Sequence, residues 1–404
     1  MATTNKGWAY ISIALILTLP ALLFRFTPMH LTPAEELMIF GLGIIASTFL
    51  LIWASEVAEI DIPQSLALAF VALVAVLPEY AVDMFFSWSA GSDPQSLYGQ
   101  YATANMTGAN RLLIGFGWPL VVIIFWLKEH SAIDLGDKIS LELTCLLIAT
   151  IYALTIPLTH NIGLWDAGVL IVIFAIYIFI ASKGKRPEVH TIGPAKVIGD
   201  LPTVFRRLST IIIFGMSAFV IFICAEPFAL SLLGLGREVG IDEFFMVQWV
   251  GPLASEAPEI LIAVTFTLRG HAKEAMITII SSKINQWTLL IGTIPIVYAV
   301  SSSVSGLGVQ IGLPLDDRQS YELFLTAGQS LLAIVMIARW RISWLHASAL
   351  FILWSTQIVL SSWNSTEIYF VGYMILSVVI LAADKERFKN VVHMLSLKRL
   401  RIEL

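Results

Sequence analysis

The stretch AVLPEYAVDMFF, from Ala75 to Phe86, sets Pro78, Glu79 and Asp83 inside a long apolar run. A second stretch, LASEAPEILIAV from Leu253 to Val264, repeats the arrangement with Pro258 and Glu259, 180 residues after the first pair. An ionised carboxylate at the centre of a bilayer costs several kcal/mol unless it is paired, so intramembrane acids usually face a cavity and mark an ion or proton path. The prolines add a second feature. Proline donates nothing to the helix ladder and frees the carbonyl four residues back, here at Val74 and Ala254. Carboxylate and freed carbonyl oxygens together form a hard ligand set, suited to Ca²⁺, Na⁺ or a proton rather than to a soft metal. One Pro-Glu could be a kink with its acid bonded to a neighbouring helix. Two at matched places read as a functional pair.

The rest of the chain is consistent with a lipid solvent. Of 404 residues, 57% are hydrophobic and 13% charged, against about 25% charged in a soluble domain. The expected fold class is all-α, a polytopic membrane protein with about twelve transmembrane helices. A span needs about 20 mostly apolar residues, and such segments lie near 8–24, 36–58, 64–89, 99–127, 141–158 and 164–182. They resume near 208–233, 244–268, 273–300, 320–338, 343–363 and 366–383. Lys6 precedes the first, but no small-residue cleavage site follows, so this segment is expected to remain as an anchor. With twelve spans and both termini in the cytoplasm, nineteen of the 24 lysines and arginines fall on the cytoplasmic side. That is the asymmetry of the positive-inside rule, and moving the count by one span destroys it.

The halves correspond around a basic stretch, KGKRPEVHTIGPAKVIGDLPTVFRR, at 183–207, which reads as a cytoplasmic linker too polar to bury a core. WASEVAE (Trp53 to Glu59) precedes the first Pro-Glu span as CAEPFAL (Cys224 to Leu230) precedes the second. Each Pro-Glu span is followed by one with a polar start and an apolar, proline-bearing end: ATANMTGANRLLIGFGWPLVV (Ala102 to Val122) and ISSKINQWTLLIGTIPIVYAV (Ile280 to Val300). Corresponding elements are five spans apart, and an odd offset reverses the direction of crossing. Inverted repeats with discontinuous helices at the midplane are a common secondary-transporter architecture. The expected organisation is an extra helix at 1–35, a first repeat at 36–182, the linker, a second repeat at 208–363, and a last helix with a basic tail at 364–404. This is a 5+5 inverted-repeat core with one added helix at each end.

More polar residues accompany the two glutamates. Asp83 follows Glu79 by one turn and Glu256 precedes Glu259 by one, so each shares a helix face with its neighbour. Asn105 and Asn285 both fall 26 residues after their glutamate and offer neutral oxygens. Arg111 and Lys283 sit inside spans and suit charge compensation, or the occupation of a cation subsite by one of them. Glu226, before Pro227, reads either as a lining of the ion path or as a bonded acid at a helix end. Gly108, Ala109, Gly115 and Gly292 are small enough to let helices approach closely.

On these motifs the sequence resembles the Ca²⁺/cation antiporter superfamily, the sodium/calcium and proton/calcium exchangers. That family carries two inverted repeats, each with a Gly-Thr-Ser-x-Pro-Glu helix followed by a helix rich in Asn, Gly and Ser. VLPE (Val76 to Glu79) with ANMTGAN (Ala104 to Asn110) matches the first, and ASEAPE (Ala254 to Glu259) with SSKINQW (Ser281 to Trp287) the second. The resemblance covers roughly 36–363. It implies that Glu79 and Glu259 are the central ligands of the transported cation, facing each other across the repeat axis, with Asn105 and Asn285 beside them. Asp83, Glu256, Glu226 and Ser255 are then candidates for a secondary cation or proton path. The Thr-Ser of the family is Ala75-Val76 in one repeat and Ser255-Glu256 in the other, which argues against a full set of sodium sites. Asn285 stands where sodium/calcium exchangers have a further acid, as in proton-coupled relatives. Lys283 is foreign to both patterns.

The expected function is a secondary-active antiporter moving Ca²⁺ or a similar hard cation against H⁺ or Na⁺ by alternating access. A sodium/proton exchanger that does not carry Ca²⁺ is the alternative within transport, and a non-transporting scaffold or sensor the alternative outside it. No Walker motif, nucleotide fold or His/Cys cluster is visible, so neither a pump nor an enzyme is expected, and no cofactor. His160 and His271 stand apart near span ends, and Cys145 and Cys224 read as packing residues. The partners are small inorganic cations and membrane lipid. No nucleic acid is expected, because the basic residues lack an aromatic platform. The oligomeric state stays open, and the expected location is the cell membrane.

Overall fold

Apolar runs have no water to satisfy their backbone groups, so they close every N–H and C=O pair within the segment and become helices. The computed structural model describes residues 2–27, 30–62, 74, 76–136, 139–183, 191, 193–360 and 363–396. Its first helices are α1 (Ala2–Phe26), α2 (Pro33–Asp61), α3 (Leu77–Ser92), α4 (Tyr98–Glu129), α5 (Ser140–Ala153) and α6 (Leu164–Ala181). The short α7 (Pro194–Gly199) and the long α8 (Thr203–Val239) lead to α9 (243–268) and α10 (Ala272–Val304). The chain closes with α11 (Asp317–Ile337), α12 (Trp344–Val359), α13 (Trp363–Ala383) and α14 (Lys385–Leu395). Among the described residues, nine helices are long and apolar enough to cross a membrane, and α12 is a shorter apolar helix. Most of 64–75 in the predicted Pro-Glu span, 184–190 and 192 in the linker, and 397–404 in the tail lie outside the described residues.

Three long helices are interrupted by a π turn, at Leu113–Gly117 in α4, Met246–Val250 in α9 and Gln286–Leu290 in α10. Each turn lies shortly ahead of a proline, Pro119, Pro252 or Pro295, whose missing N–H leaves the preceding ladder short of a donor. Such single wide turns are frequent at functional sites.

The chain packs as two compact units, each drawing on both halves of the sequence. The first contains Met1–Phe85 and Ala181–Pro258. Here α2 lies along α8, with Gly41 against the Phe228 ring and Gly43 against Ala21 and the Cys224 thiol. Asp61, the last residue of α2, accepts from Arg206 at 3.0 Å and Arg207 at 2.9 Å. The linker does bury apolar surface, contrary to the reading of its composition. Ala195 and Ile198 of α7 join Ile11, Ala14, Ala46, Leu50 and Val57 in one buried cluster. A polar average over the whole stretch concealed three apolar residues on a six-residue helix.

The second unit contains Phe86–Ile180 and Glu259–Leu404. Its centre is α11, which packs against α4, α5 and α13. Gly115 lies against the Trp354 indole, and Gly292 against the backbone of Ala167, the close approaches that small residues permit. Two antiparallel ribbons join loops in this unit: Ile133–Asp134 with Arg341–Ile342, and Asn161–Gly163 with Gly312–Pro314. Asp134 accepts from the Gly136 amide and from Arg341, each at 3.0 Å. The amide first, and then the guanidinium, holds its carboxyl below the ordinary value.

Gly91 of α3 faces the Tyr298 carbonyl and the Ser301 side chain of α10, so a Cβ there would collide with backbone that no rotamer change can move. Gly91→Ala is expected to destabilise the protein by about 1–3 kcal/mol, as overpacking does. Gly168→Ala, with nothing within 4 Å of its new Cβ, should be neutral or slightly stabilising. Thermal unfolding of the two variants in detergent checks the contrast, and equal midpoints would refute it.

Candidate cation-binding residues

Glu79 lies in the first turn of α3, where the helix ladder resumes immediately after Pro78 through the Tyr80 amide and the Val76 carbonyl at 3.0 Å. Its side chain is buried, as are those of Asp83 and Glu256, each only 1% exposed. The Ser255 hydroxyl donates to Oε2 of Glu79. Ser255 belongs to α9 and stands 176 residues further along the chain. A residue of the second Pro-Glu motif thus bonds the acid of the first, within the first unit. Pro258 frees the Ala254 carbonyl on this same helix, and the Ser255 hydroxyl lies 3.4 Å from the Pro252 carbonyl.

Glu259 belongs to the second unit, where it is half-buried. The Ser282 hydroxyl of α10 donates to its Oε2 at 2.6 Å. Each motif glutamate therefore accepts a serine hydroxyl from another helix. Asn105 on α4 and Asn285 on α10 are both buried in this second unit. Glu226 is half-exposed on α8 and pairs with Arg25 at 2.5 Å.

The two intramembrane bases of the sequence reading have distinct settings. Arg111 is fully buried and pairs with Glu322 of α11 at 2.5 Å, with its Nε donating to the Thr107 carbonyl at 3.3 Å. Lys283 donates to Oδ1 of Asn110 at 2.6 Å, and its Nζ lies 4.3 Å from the centroid of the Trp287 ring. Amide oxygen and indole face are both good partners for a desolvated ammonium. Nearby polar residues are satisfied locally: Thr107 donates to the Thr103 carbonyl at 2.7 Å, and Thr288 to the Ile284 carbonyl at 2.6 Å. This back-bonding lets a polar helix face sit among apolar neighbours.

Ser282, Asn110 and Glu322 take part in these contacts and were not among the candidates read from the sequence. Signals for two of them were present. Asn110 and Ser282 stand inside the quoted polar segments, one residue from Arg111 and Lys283 respectively. Glu322 was the harder case, an acid near the start of a span with no motif around it.

The fold has solved relatives. The crystal structure of the H⁺/Ca²⁺ exchanger CAX is 44% identical, covering 98% of this chain and 100% of that one, with a TM-score of 0.89. Native YfkE, at 14% identity, matches 87% of this chain and 98% of its own with a TM-score of 0.64. The sodium-calcium exchanger NCX_Mj, at 15% identity, covers 89% and 99% with a TM-score of 0.54. The last two show the fold alone. No curated protein matches in a sequence search. The family model described as sodium/calcium exchanger protein matches residues 36–183 and 209–363. The chain therefore belongs to the sodium/calcium exchanger protein family, whose members are secondary transporters and not enzymes.

Proposed function

We propose that this antiporter exchanges Ca²⁺ against H⁺, with Glu79 and Glu259 as the acids that take up the cation. The observation that carries the reading is the pair of serine–glutamate bonds, Ser255 to Glu79 and Ser282 to Glu259. Ca²⁺ takes about six to eight oxygens. In the first unit the Glu79 carboxylate, the Ser255 hydroxyl and the carbonyls opened at Val74 and Ala254 are of that chemical class, and in the second the Glu259 carboxylate, the Ser282 hydroxyl and the amides of Asn105 and Asn285. A serine hydroxyl can turn from donating to a carboxylate to offering its own lone pair to a metal ion. The identity with the H⁺/Ca²⁺ exchanger CAX, at 44% over nearly the whole chain, supports H⁺ as the coupling ion. So does the lack of hydroxyls at Ala75 and Val76.

Coupling follows from electrostatics. Leaving both acids ionised and unneutralised in an apolar interior is costly, so each carries either a proton or a share of the cation whenever the transporter changes its open side. Asp83 and Glu256, buried on the same helix faces, extend the acidic path, whereas Glu226 belongs to an ion pair with Arg25. In this reading the chain spans the cell membrane twelve times with both termini cytoplasmic, the arrangement that places most of its bases on that side. Two inverted repeats alternate the access.

Exchange of Na⁺ for H⁺ without Ca²⁺ is the second reading, favoured by the buried Lys283 on α10, since a fixed positive charge penalises a divalent ion. Arg111 argues less for it, because Glu322 balances its charge.

In vesicles with an imposed proton gradient, the protein should drive Ca²⁺ uptake, and Glu79→Gln and Glu259→Gln should abolish it. Ser255→Ala and Ser282→Ala each remove a hydrogen bond to a charged group and should weaken apparent Ca²⁺ affinity by about tenfold. Ca²⁺ uptake indifferent to the pH gradient would end the antiport reading. Proton movement driven by Na⁺ but never by Ca²⁺ would establish the second. Separately, Glu322→Gln leaves a buried guanidinium without its carboxylate and should cost about 3–5 kcal/mol of stability. The double variant Arg111→Met/Glu322→Leu should recover most of that loss in thermal unfolding. A single variant as stable as the parent would show that the Arg111–Glu322 pair does not balance a buried charge.

A further inference from the structure

The last helix, α14, is joined to the span α13 by Asp384 alone. Asp384 caps it, accepting the amides of Glu386 at 3.1 Å and Arg387 at 3.2 Å. A one-residue joint holds α14 at whichever surface α13 emerges from. One face of α14 is docked on its own unit. Arg387 donates to the Val335 carbonyl at 3.3 Å and Asn390 to the Ala338 carbonyl at 2.7 Å, at the C-terminal end of α11. Val391 and Met394 are buried on the same face, at 8% and 4% exposure.

At 100° per residue, a second face lies beside the docked one. It carries Phe388, Val392 and Leu395, which are 56%, 47% and 44% exposed. Lys385 and Lys389, both exposed, border the outer edge of this stripe. Three large apolar side chains open to solvent would be a liability in water. Edged by lysines at the end of a membrane span, they match the two layers of a bilayer surface instead: acyl chains below, anionic headgroups level with the ammonium groups.

We propose that α14 is an in-plane membrane-surface helix. Phe388, Val392 and Leu395 enter the acyl boundary, and Lys385 and Lys389 hold anionic phospholipid headgroups. The same short helix bonds the final carbonyls of α11, so lipid at the surface and the helix that bears Glu322 are connected through one element.

The test uses the full chain in vesicles of phosphatidylcholine, with and without phosphatidylglycerol. Both native cysteines are buried, so a thiol-reactive fluorophore can be placed selectively at Leu395→Cys, at Val392→Cys should the first not fold, and at Glu386→Cys on the far side. The label on the stripe should be quenched by spin-labelled acyl chains, and the label at position 386 by aqueous iodide. Phosphatidylglycerol should strengthen the acyl quench. At low salt, each of Lys385→Gln and Lys389→Gln should move that lipid titration by about fivefold. Iodide quenching of the stripe overturns the proposal. So does protection of the stripe from both quenchers, the result for a face covered by a second protein. An acyl quench that ignores phosphatidylglycerol overturns the headgroup assignment. None of these readings depends on which ions are transported.

Discussion

A carboxylate removed from water must find hydrogen bonds, and removed from all counter-charge it must also find a cation or a proton. Much of the arrangement around α4, α9, α10 and α11 answers to that constraint. Glu322 meets a guanidinium at 2.5 Å, and the charge is balanced by the protein itself. Glu259 meets a serine hydroxyl, which satisfies a lone pair and adds no charge. Ser255 contributes to Glu79 in the same limited way. A guanidinium supplies counter-charge to an acid, whereas a hydroxyl supplies only a neutral donor.

The helices around these acids are built to tolerate polarity. Threonine hydroxyls fold back on carbonyls one turn earlier, as Thr107 and Thr288 do. Prolines and π turns break the ladder within α4, α9 and α10. Glycine admits neighbours to backbone distance, and Gly91 beside α10 leaves no room for a methyl group against the Tyr298 carbonyl. The threonine bonds close within one turn of helix, whereas the Gly91 contact joins segments far apart in the chain.

That distance explains what could and could not be read from the amino-acid order. Membrane residence, the Pro-Glu pairs and the polar helices that follow them are local features, visible as composition and spacing. Arg111 and Lys283 were conspicuous for the same reason, being bases in apolar runs. Their partners were not. Arg111 meets an acid on α11, and Lys283 an amide on α4, and a single sequence carries no information about which turn of one helix faces which turn of another. The bond from Ser255 to Glu79 crosses 176 positions, so no window of neighbouring residues contains it. The linker misled in a different way, because α7 is too short for its apolar face to outweigh the prolines and bases around it.

The division of the chain has a practical corollary for anyone who would cut it. The backbone passes from one unit to the other at 85–86, at 180–181 and again at 258–259. A gene split at the central loop would yield two fragments, each with an incomplete share of both units. Neither half holds a complete unit, and function from separately made pieces would require them to rebuild both the helix packing and the two ribbons, which pair Ile133–Asp134 with Arg341–Ile342 and Asn161–Gly163 with Gly312–Pro314. Interleaving of this kind ties the fate of the two chain halves together: neither can be discarded without unmaking both units.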